Sequence, residues 1–224
     1  MRIDVVSDVV CPWCFIGKRQ LEAAIAAWSA AHPEAPLPEV VWHPFQLNPF
    51  APAEGVARDD YLRSKFGTAD TTRLYSNVRA AASEVSLPLA LDRIARQPNT
   101  LRPHALMAAA FESGGQTLQS ALAEALFSAY FQESRNLSDP EVLSDIARKA
   151  GVPDADIVRA LSDEALLGRV ADEDQGARDA GIGGVPYFVV NGRVAVNGAQ
   201  GEEALLRAFR RAATLPEAPF ALRS

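Results

Sequence analysis

The chain has 224 residues, of which 48% are hydrophobic and 22% are charged, enough for one large globular domain or one domain with a sizeable insertion. Its formal net charge of −6 argues against binding to nucleic acid or anionic lipid. No apolar run approaches the ~20 residues of a membrane helix, and two aspartates interrupt the apolar stretch that an N-terminal signal peptide would need. We therefore expect a cytoplasmic protein that contacts neither nucleic acid nor membrane.

The beginning of the chain predicts a strand, a helix and a second strand. Residues 2–7 have the pattern of a short strand, and the stretch after Cys14 has a helical pattern. The apolar residues of this helical pattern share one face: Leu21, Ala24, Ile25 and Trp28. Residues 40–43 are mostly β-branched or aromatic and predict the second strand. If the two strands are parallel, this segment is a βαβ unit.

The middle of the chain, from about residue 52 to residue 181, is Ala-rich and predicts helices. Two apolar helix faces stand out, one of Leu118, Ala121, Leu122, Ala125 and Ala129, the other of Leu143, Ile146, Ala147 and Ala150. Ser138 and Glu141 have the spacing of a capping box before the second of these helices. Pro98 and Pro103 predict a division of the segment into two groups of helices.

The end of the chain returns to strands. Residues 187–190 predict a strand, and Asn191-Gly192 predicts a two-residue hairpin turn. The return strand is expected over residues 193–196, and a closing helix over residues 202–213.

The predicted order is therefore βαβ, a helical block, and ββα, which is an α/β fold class with an all-helical insertion. We expect the first part of the fold over residues 1–50, the inserted helical domain over 51–181, and the second part over 182–224.

Cys11 and Cys14 lie three positions apart, where the first strand passes into the first helix. A helix N-terminus offers free N–H groups and a partial positive charge, which favour a thiolate at Cys11. That thiolate can attack a substrate disulfide, and Cys14 can then resolve the mixed disulfide. Pro12 suits the first helical position because no N–H is needed there. Trp13 offers a docking substrate one N–H donor and apolar area.

Two other interpretations of the cysteine pair compete with redox chemistry. A structural disulfide across so few residues closes a tiny loop and stabilises little. A zinc site needs about four ligands, and only His32, His43 and His104 could join the cysteines. His43 lies in a predicted strand, where a histidine is more often packed in the core. The pattern therefore favours redox chemistry.

A second feature is the glycine-rich turn over residues 181–184, which is followed by Val185 and Pro186. A proline is tolerated at the start of an edge strand. Only about 5–6% of X-Pro bonds are cis, so these residues alone do not predict a cis bond.

Several motifs along nearly the whole chain occur together. They are Cys11-Pro12-Trp13-Cys14 with Phe15-Ile16-Gly17-Lys18-Arg19, Trp42-His43-Pro44-Phe45-Gln46-Leu47-Asn48-Pro49, Ala125-Leu126-Phe127-Ser128-Ala129-Tyr130-Phe131, Gly183-Gly184-Val185-Pro186-Tyr187-Phe188-Val189, and Val196-Asn197-Gly198-Ala199-Gln200. In this combination the sequence resembles the DsbA family of thioredoxin-fold oxidoreductases, and within it the FrnE-type branch.

The resemblance implies a thioredoxin fold with a helical domain inserted between βαβ and ββα. It implies that Cys11 is the nucleophile and Cys14 the resolving thiol. It also implies that the Val185–Pro186 bond is cis and that its loop faces the cysteines. The backbone of Val185 would then pair with an extended substrate segment. The implied partner is a disulfide-containing protein or a small-molecule thiol.

The same superfamily includes 2-hydroxychromene-2-carboxylate isomerases and kappa-class glutathione transferases. Those relatives have a serine at the position of Cys11, and Asn48 and Val185 match positions that hold glutathione in them. A glutathione-dependent isomerase or transferase is therefore the main alternative, and a redox-inert binding module is a third. The resemblance implies no permanently bound cofactor and no metal, with glutathione as a possible thiol cosubstrate.

Overall fold

The computed structural model describes residues 1–216, 218 and 220. The strands are β1 Arg2–Ser7, β2 Glu39–Pro44, β3 Val56–Ala57, β4 Arg96–Gln97, β5 Tyr187–Val190 and β6 Val194–Asn197. The helices are α1 Pro12–Ala31, α2 Arg58–Phe66, α3 Thr71–Leu74, α4 Ser76–Glu84, α5 Leu101–Phe131, α6 Pro140–Lys149, α7 Asp154–Ser162, α8 Glu164–Asp179 and α9 Glu202–Ala213. None of the described helices combines the length and the apolar character that crossing a membrane requires.

The central sheet has the strand order β2-β1-β5-β6. β1 and β2 are parallel, with Ile3 opposite Val40 and Val5 opposite Trp42. β5 runs antiparallel to both β1 and β6. The chain therefore has the predicted order of a βαβ unit, a series of helices, and a ββα unit.

Both faces of this sheet are buried. Successive side chains of β1 point to opposite faces, and each set packs in a core. Ile3 and Val5 point into the main core, while Val6 packs on the other face with Phe45 and residues at and beyond the end of α8. Stacked aromatic rings connect α1 to α5, with 5.0 Å between the ring centroids of Phe15 and Phe127. The β1–α1 junction is thus held between the sheet and the helical block.

The outer edge of β2 is paired by side chains rather than by another strand. Gln119 of α5 accepts a hydrogen bond from the Trp42 amide (2.9 Å) and donates one to the Trp42 carbonyl (2.9 Å). Gln116 accepts from the amide of Val40 at 2.7 Å. Because an open strand edge exposes unpaired backbone groups, these two glutamines both close the sheet and fix α5 against it.

A charged cluster joins the sheet to α8. His43 is 2.6 Å from Glu173 through Nδ1 and 2.9 Å from Asp4 through Nε2, and Arg2 also contacts Asp4 at 2.9 Å. Burial acts to lower the pKa of His43, but its two carboxylate partners outweigh burial and raise that pKa. Burial likewise acts to raise the pKa of Asp4, and the bonds from His43 and Arg2 lower it.

The helical block differs from the prediction in three details. The cap of α6 is Asp139, which accepts a hydrogen bond from the Glu141 amide, so the predicted capping box at Ser138 is wrong. Pro103 lies in the first turn of α5 and does not divide the helices, because amides in that turn need no partner within the helix. Ala121 is exposed, so the buried face of α5 is rotated from the predicted one.

Two further features of the block have no clear sequence signal. β3 and β4 form a two-stranded antiparallel pair of two residues each. Gly115 has φ 62° and ψ −159° and kinks α5. The division of the chain after residues 50 and 181 stays a prediction, and its last part includes residues outside those described.

The loop of the C-terminal hairpin is one residue longer than predicted. Val190 pairs with Val194, which leaves Asn191, Gly192 and Arg193 in the loop, so the predicted strand start at Arg193 is wrong. Asn191 and Gly192 have φ values of 51° and 63°, as the dipeptide favours. The Asn191 side chain accepts from the Arg2 amide at 2.9 Å and anchors the turn to β1. The closing helix α9 has the predicted bounds.

Candidate active site

A tight turn carries the chain from β1 into α1 and places Cys11 at the helix N-terminus. The Cys11 amide donates to the Asp8 carbonyl at 3.0 Å, and the Cys14 amide donates to the Cys11 carbonyl at 3.0 Å. Cys11 is therefore the N-cap residue of α1, and Pro12 is its first helical residue. The sulfur of Cys11 stands at the positive end of the helix dipole, and Cys14 lies one turn further in.

Both cysteines are free thiols and both are buried, with Cys11 4% exposed and Cys14 1% exposed. Burial raises the pKa of Cys14 well above its ordinary value, and the neighbouring Cys11 raises it further. In the reduced pair Cys14 is thus held as a neutral thiol. Within the described residues, no group of three or more His, Cys, Asp and Glu side chains could hold a metal ion.

The loop that contains Pro186 lies against both the first cysteine and the first helix. The Val185–Pro186 bond is cis, the isomer that the family resemblance implies. The Cys11 thiol donates to the Val185 carbonyl with 3.6 Å between sulfur and oxygen. A Cβ atom at Gly17 would lie only 2.9 Å from Cγ of Pro186, so the glycine allows this close packing.

The other three predicted site residues are Pro12, Trp13 and Asn48. Pro12 and Trp13 are partly exposed beside the cysteines on the first turn of α1. Asn48 lies in the loop after β2, where its carbonyl accepts from the Ala51 amide at 3.1 Å. In the described part of the chain, no hydrogen bond joins Asn48 to either cysteine.

Three buried polar residues behind the cysteines were not assigned to the site from the sequence. Asp8 is fully buried and accepts from the Leu47 amide at 2.7 Å, which ties the Asn48 loop to the β1–α1 turn. Its other carboxylate oxygen is 3.4 Å from Nε2 of His104. Ser7 is also buried and lies beside Cys14. The sequence offers one signal for these residues, since Asp8 interrupts the apolar stretch where β1 ends.

A buried cation lies on the helical side of the site. Arg58 is 4% exposed, and its guanidinium contacts only neutral acceptors among the described residues: Tyr75 at 2.5 Å, Tyr130 at 3.1 Å, and Gln97. Burial raises the pKa of Tyr75, Arg58 opposes that rise, and negative charge on Cys11 adds to it. This cluster is therefore within electrostatic reach of Cys11, and nothing in the sequence distinguished Arg58 from the surface arginines.

Comparison with known proteins gives one matching family over almost the entire chain. The family model described as a DSBA-like thioredoxin domain matches residues 2–210. The uncharacterized protein YwbO of Bacillus subtilis (strain 168) is 26% identical over 212 residues, which cover 93% of this chain and 96% of YwbO.

Two of the solved structures that resemble this chain illustrate the shared fold. The probable DsbA oxidoreductase SCO1869 from Streptomyces coelicolor is 29% identical with a TM-score of 0.83, and the match covers 100% of this chain and 94% of that one. The cytosolic disulfide reductase DsbM from Pseudomonas aeruginosa, solved with GSH, has a TM-score of 0.67 at 19% identity, with coverage of 96% and 100%. The fold of this chain is thus the thioredoxin fold with a helical insertion.

Proposed function

Because the chain belongs to the DsbA-like thioredoxin family, we propose that it is a thiol-disulfide oxidoreductase in which Cys11 is the nucleophile and Cys14 the resolving thiol. The observation that carries this proposal is the position of the Cys11 sulfur, at the N-terminus of α1 and 3.6 Å from the Val185 carbonyl. The family match by itself supports a disulfide oxidoreductase or isomerase.

The reaction proposed for the reduced enzyme has two exchange steps. The Cys11 thiolate attacks one sulfur of a substrate disulfide, forms a mixed disulfide, and releases the other substrate sulfur as a thiolate that takes up a proton. Cys14 then loses its proton and attacks the Cys11 sulfur, which releases the second substrate thiol. The substrate gains two electrons, and the enzyme is left with a Cys11–Cys14 disulfide.

The raised pKa of Cys14 supports this order of steps. A neutral thiol is a poor nucleophile, so Cys14 does not compete with Cys11 for the incoming disulfide. Once Cys11 is bound in the mixed disulfide, it can no longer add negative charge beside Cys14. Deprotonation of Cys14 then becomes easier, and resolution follows.

The backbone of Val185 is proposed to bind the substrate chain. In the reduced enzyme its carbonyl accepts a hydrogen bond from the Cys11 thiol. A disulfide-bonded Cys11 has no S–H, so the carbonyl becomes available to an N–H of the substrate segment. We propose the same role in orienting substrate for Pro186, Pro12 and Trp13, and for Asn48 through its loop.

The partner is proposed to be a disulfide-containing protein or a small thiol in the cytoplasm. The DsbM structure was solved with GSH and is described as cytosolic, which supports glutathione as the thiol cosubstrate here. The presence of Cys11, where glutathione-dependent isomerases and kappa-class transferases have serine, favours disulfide exchange over that alternative.

Insulin reduction, run beside a glutathione-conjugation assay, tests the proposal. Wild type should reduce insulin, Cys11→Ser should lose that activity completely, and Cys14→Ser should accumulate a covalent adduct with a disulfide substrate. Unfolding curves of both variants control for misfolding. Insulin reduction that persists in Cys11→Ser, or conjugation activity without disulfide exchange, contradicts the proposal.

A further inference from the structure

A cavity of about 260 Å³ lies between the outer edge of β2, α5 and α8. Its lining includes the buried polar residues Ser7 and His104, which are 4% and 5% exposed, and we call the part of the cavity beside them its inner end. Arg169 and Glu112 stand at its mouth, where their side chains are 63% and 41% exposed. Neither cysteine is among the described residues that line this cavity, so disulfide exchange does not account for it.

The inner end contains polar atoms that lack partners. Within the described part of the chain, Nε2 of His104 and the adjacent Oδ1 of Asp8 make no hydrogen bond of acceptable geometry. Oγ of Ser7 makes none either, although it lies beside the Cys14 thiol. His104 and Asp8 approach to 3.4 Å without a well-directed bond. Buried polar groups are normally hydrogen-bonded, so this end of the cavity calls for a group that can both donate and accept. A hydroxyl group does both.

The rest of the wall is apolar and partly aromatic. Its larger members are Trp42, Phe111 and Phe127, with Met107, Leu166 and Val170 between them. A water occupies about 30 Å³, so waters at the polar end would leave most of the space facing hydrocarbon. An apolar cavity of about 150 Å³ in a protein is already large enough to bind benzene. This cavity therefore has room for one substituted aromatic ring.

The charged groups at the mouth are already paired. Arg169 is 3.0 Å from Glu112, and Glu173 is 2.6 Å from His43. Arg2, which also lines the cavity, is 2.9 Å from Asp4. A charged ligand would have to break one of these pairs or enter without a counter-ion, so the cavity suits a neutral molecule.

We propose that this cavity is a binding site for a small neutral aromatic molecule with one hydroxyl group, that is, a phenol. The ring lies between the aromatic walls. The hydroxyl reaches Ser7 and His104 at the inner end. An occupant of this site contacts Ser7, which lies beside Cys14, and touches neither cysteine.

A matched pair of probes tests the proposal on the full-length protein. Fluorine NMR titrations compare 4-fluorophenol with fluorobenzene, which has the ring but no hydroxyl. We expect saturable binding of 4-fluorophenol at one site per chain. Its affinity should exceed that of fluorobenzene by roughly three- to tenfold, the effect of about one hydrogen bond.

Two variants locate the binding. Ala108 lies on the cavity wall and is half-buried, so Ala108→Phe fills the space and should abolish binding of both probes. Ala121→Phe is the control, because Ala121 is exposed on the same helix and does not line the cavity. Ser7→Ala should bind both probes but lose much of the preference for the hydroxyl.

The outcomes separate this site from the proposed redox function. Ala108→Phe should retain wild-type insulin reduction, because neither cysteine lines the cavity that the new side chain would fill. Absence of saturable binding in wild type, equal affinity for the two probes, or undiminished binding in Ala108→Phe each overturns the proposal and leaves a cavity filled by water. If Ala108→Phe fails to fold, Ser7→Ala still tests the proposal. A preference for 4-fluorophenol as large as that of wild type would overturn it.

Discussion

Gly17 is where the first helix and the Pro186 loop meet, and its replacement by alanine tests how tightly they pack. A Cβ at this position would lie 2.9 Å from Cγ of Pro186 and 3.1 Å from Cζ of Phe188. Neither neighbour can yield easily, since Pro186 is a rigid ring and Phe188 is 1% exposed. Overpacking of this kind costs about 1–3 kcal/mol.

Helix propensity acts in the opposite direction. Glycine to alanine in a helix interior stabilises by about 1 kcal/mol. The net effect of Gly17→Ala is therefore a destabilisation of about 0–2 kcal/mol. Gly168 provides the matched control, because it lies inside α8 and a Cβ there would meet nothing within 4 Å. Gly168→Ala should show only the propensity gain of about 1 kcal/mol.

Urea unfolding and insulin reduction measure the two consequences. The two variants should differ in unfolding free energy by about 1–3 kcal/mol. Gly17→Ala should also reduce insulin more slowly, because displacement of Pro186 moves the Val185 carbonyl from the Cys11 sulfur. Equal stabilisation of both variants, together with an unchanged rate in Gly17→Ala, would refute the reasoning.

Three further predictions concern the sheet and the redox centre. The raised pKa of His43 means that its contribution to stability is complete below its unfolded value of about 6.5 and is lost as pH rises through the folded value. Between pH 5 and 9, the free energy of unfolding in urea should therefore fall less in His43→Asn than in wild type. An equal fall in the two proteins would contradict the ion pairs of His43. Gln119→Ala leaves two backbone groups of Trp42 unpaired and should cost about 1–3 kcal/mol, and a cost near zero in urea unfolding contradicts the edge pairing. Titration against glutathione buffers should give a redox potential of roughly −270 mV for the Cys11–Cys14 pair. Trp13→His should raise this potential, because a charged imidazole stabilises the Cys11 thiolate. A wild-type potential above about −150 mV would contradict the prediction.

The sequence predicted best the elements whose pattern is local. β1, α1, β2 and α9 are recognised by strand or helix periodicity together with clear ends, and their order predicted the topology. The cap of α6 was misplaced by one residue because Ser138 and Asp139 are both good capping residues. Two-residue strands such as β3 and β4 are too short for any periodicity to show.

The site was predictable only where a motif marks it. Cys11 and Cys14 are adjacent in sequence to the helix start, so their placement followed from local structure. Ser7, Asp8 and His104 come together through packing between β1 and α5, which are about a hundred residues apart. Arg58 is likewise recognised only once its burial against Tyr75 and Tyr130 is known.

The central claim is the division of roles between the two thiols, and partial alkylation tests it most directly. Reduced wild-type protein is treated with a limiting amount of iodoacetamide at pH 7, and peptide mapping by mass spectrometry gives the labelled fraction of each cysteine. Cys11 should be labelled first, because it lies at the helix N-terminus while burial raises the pKa of Cys14. Labelling of Cys14 before Cys11 would contradict the account.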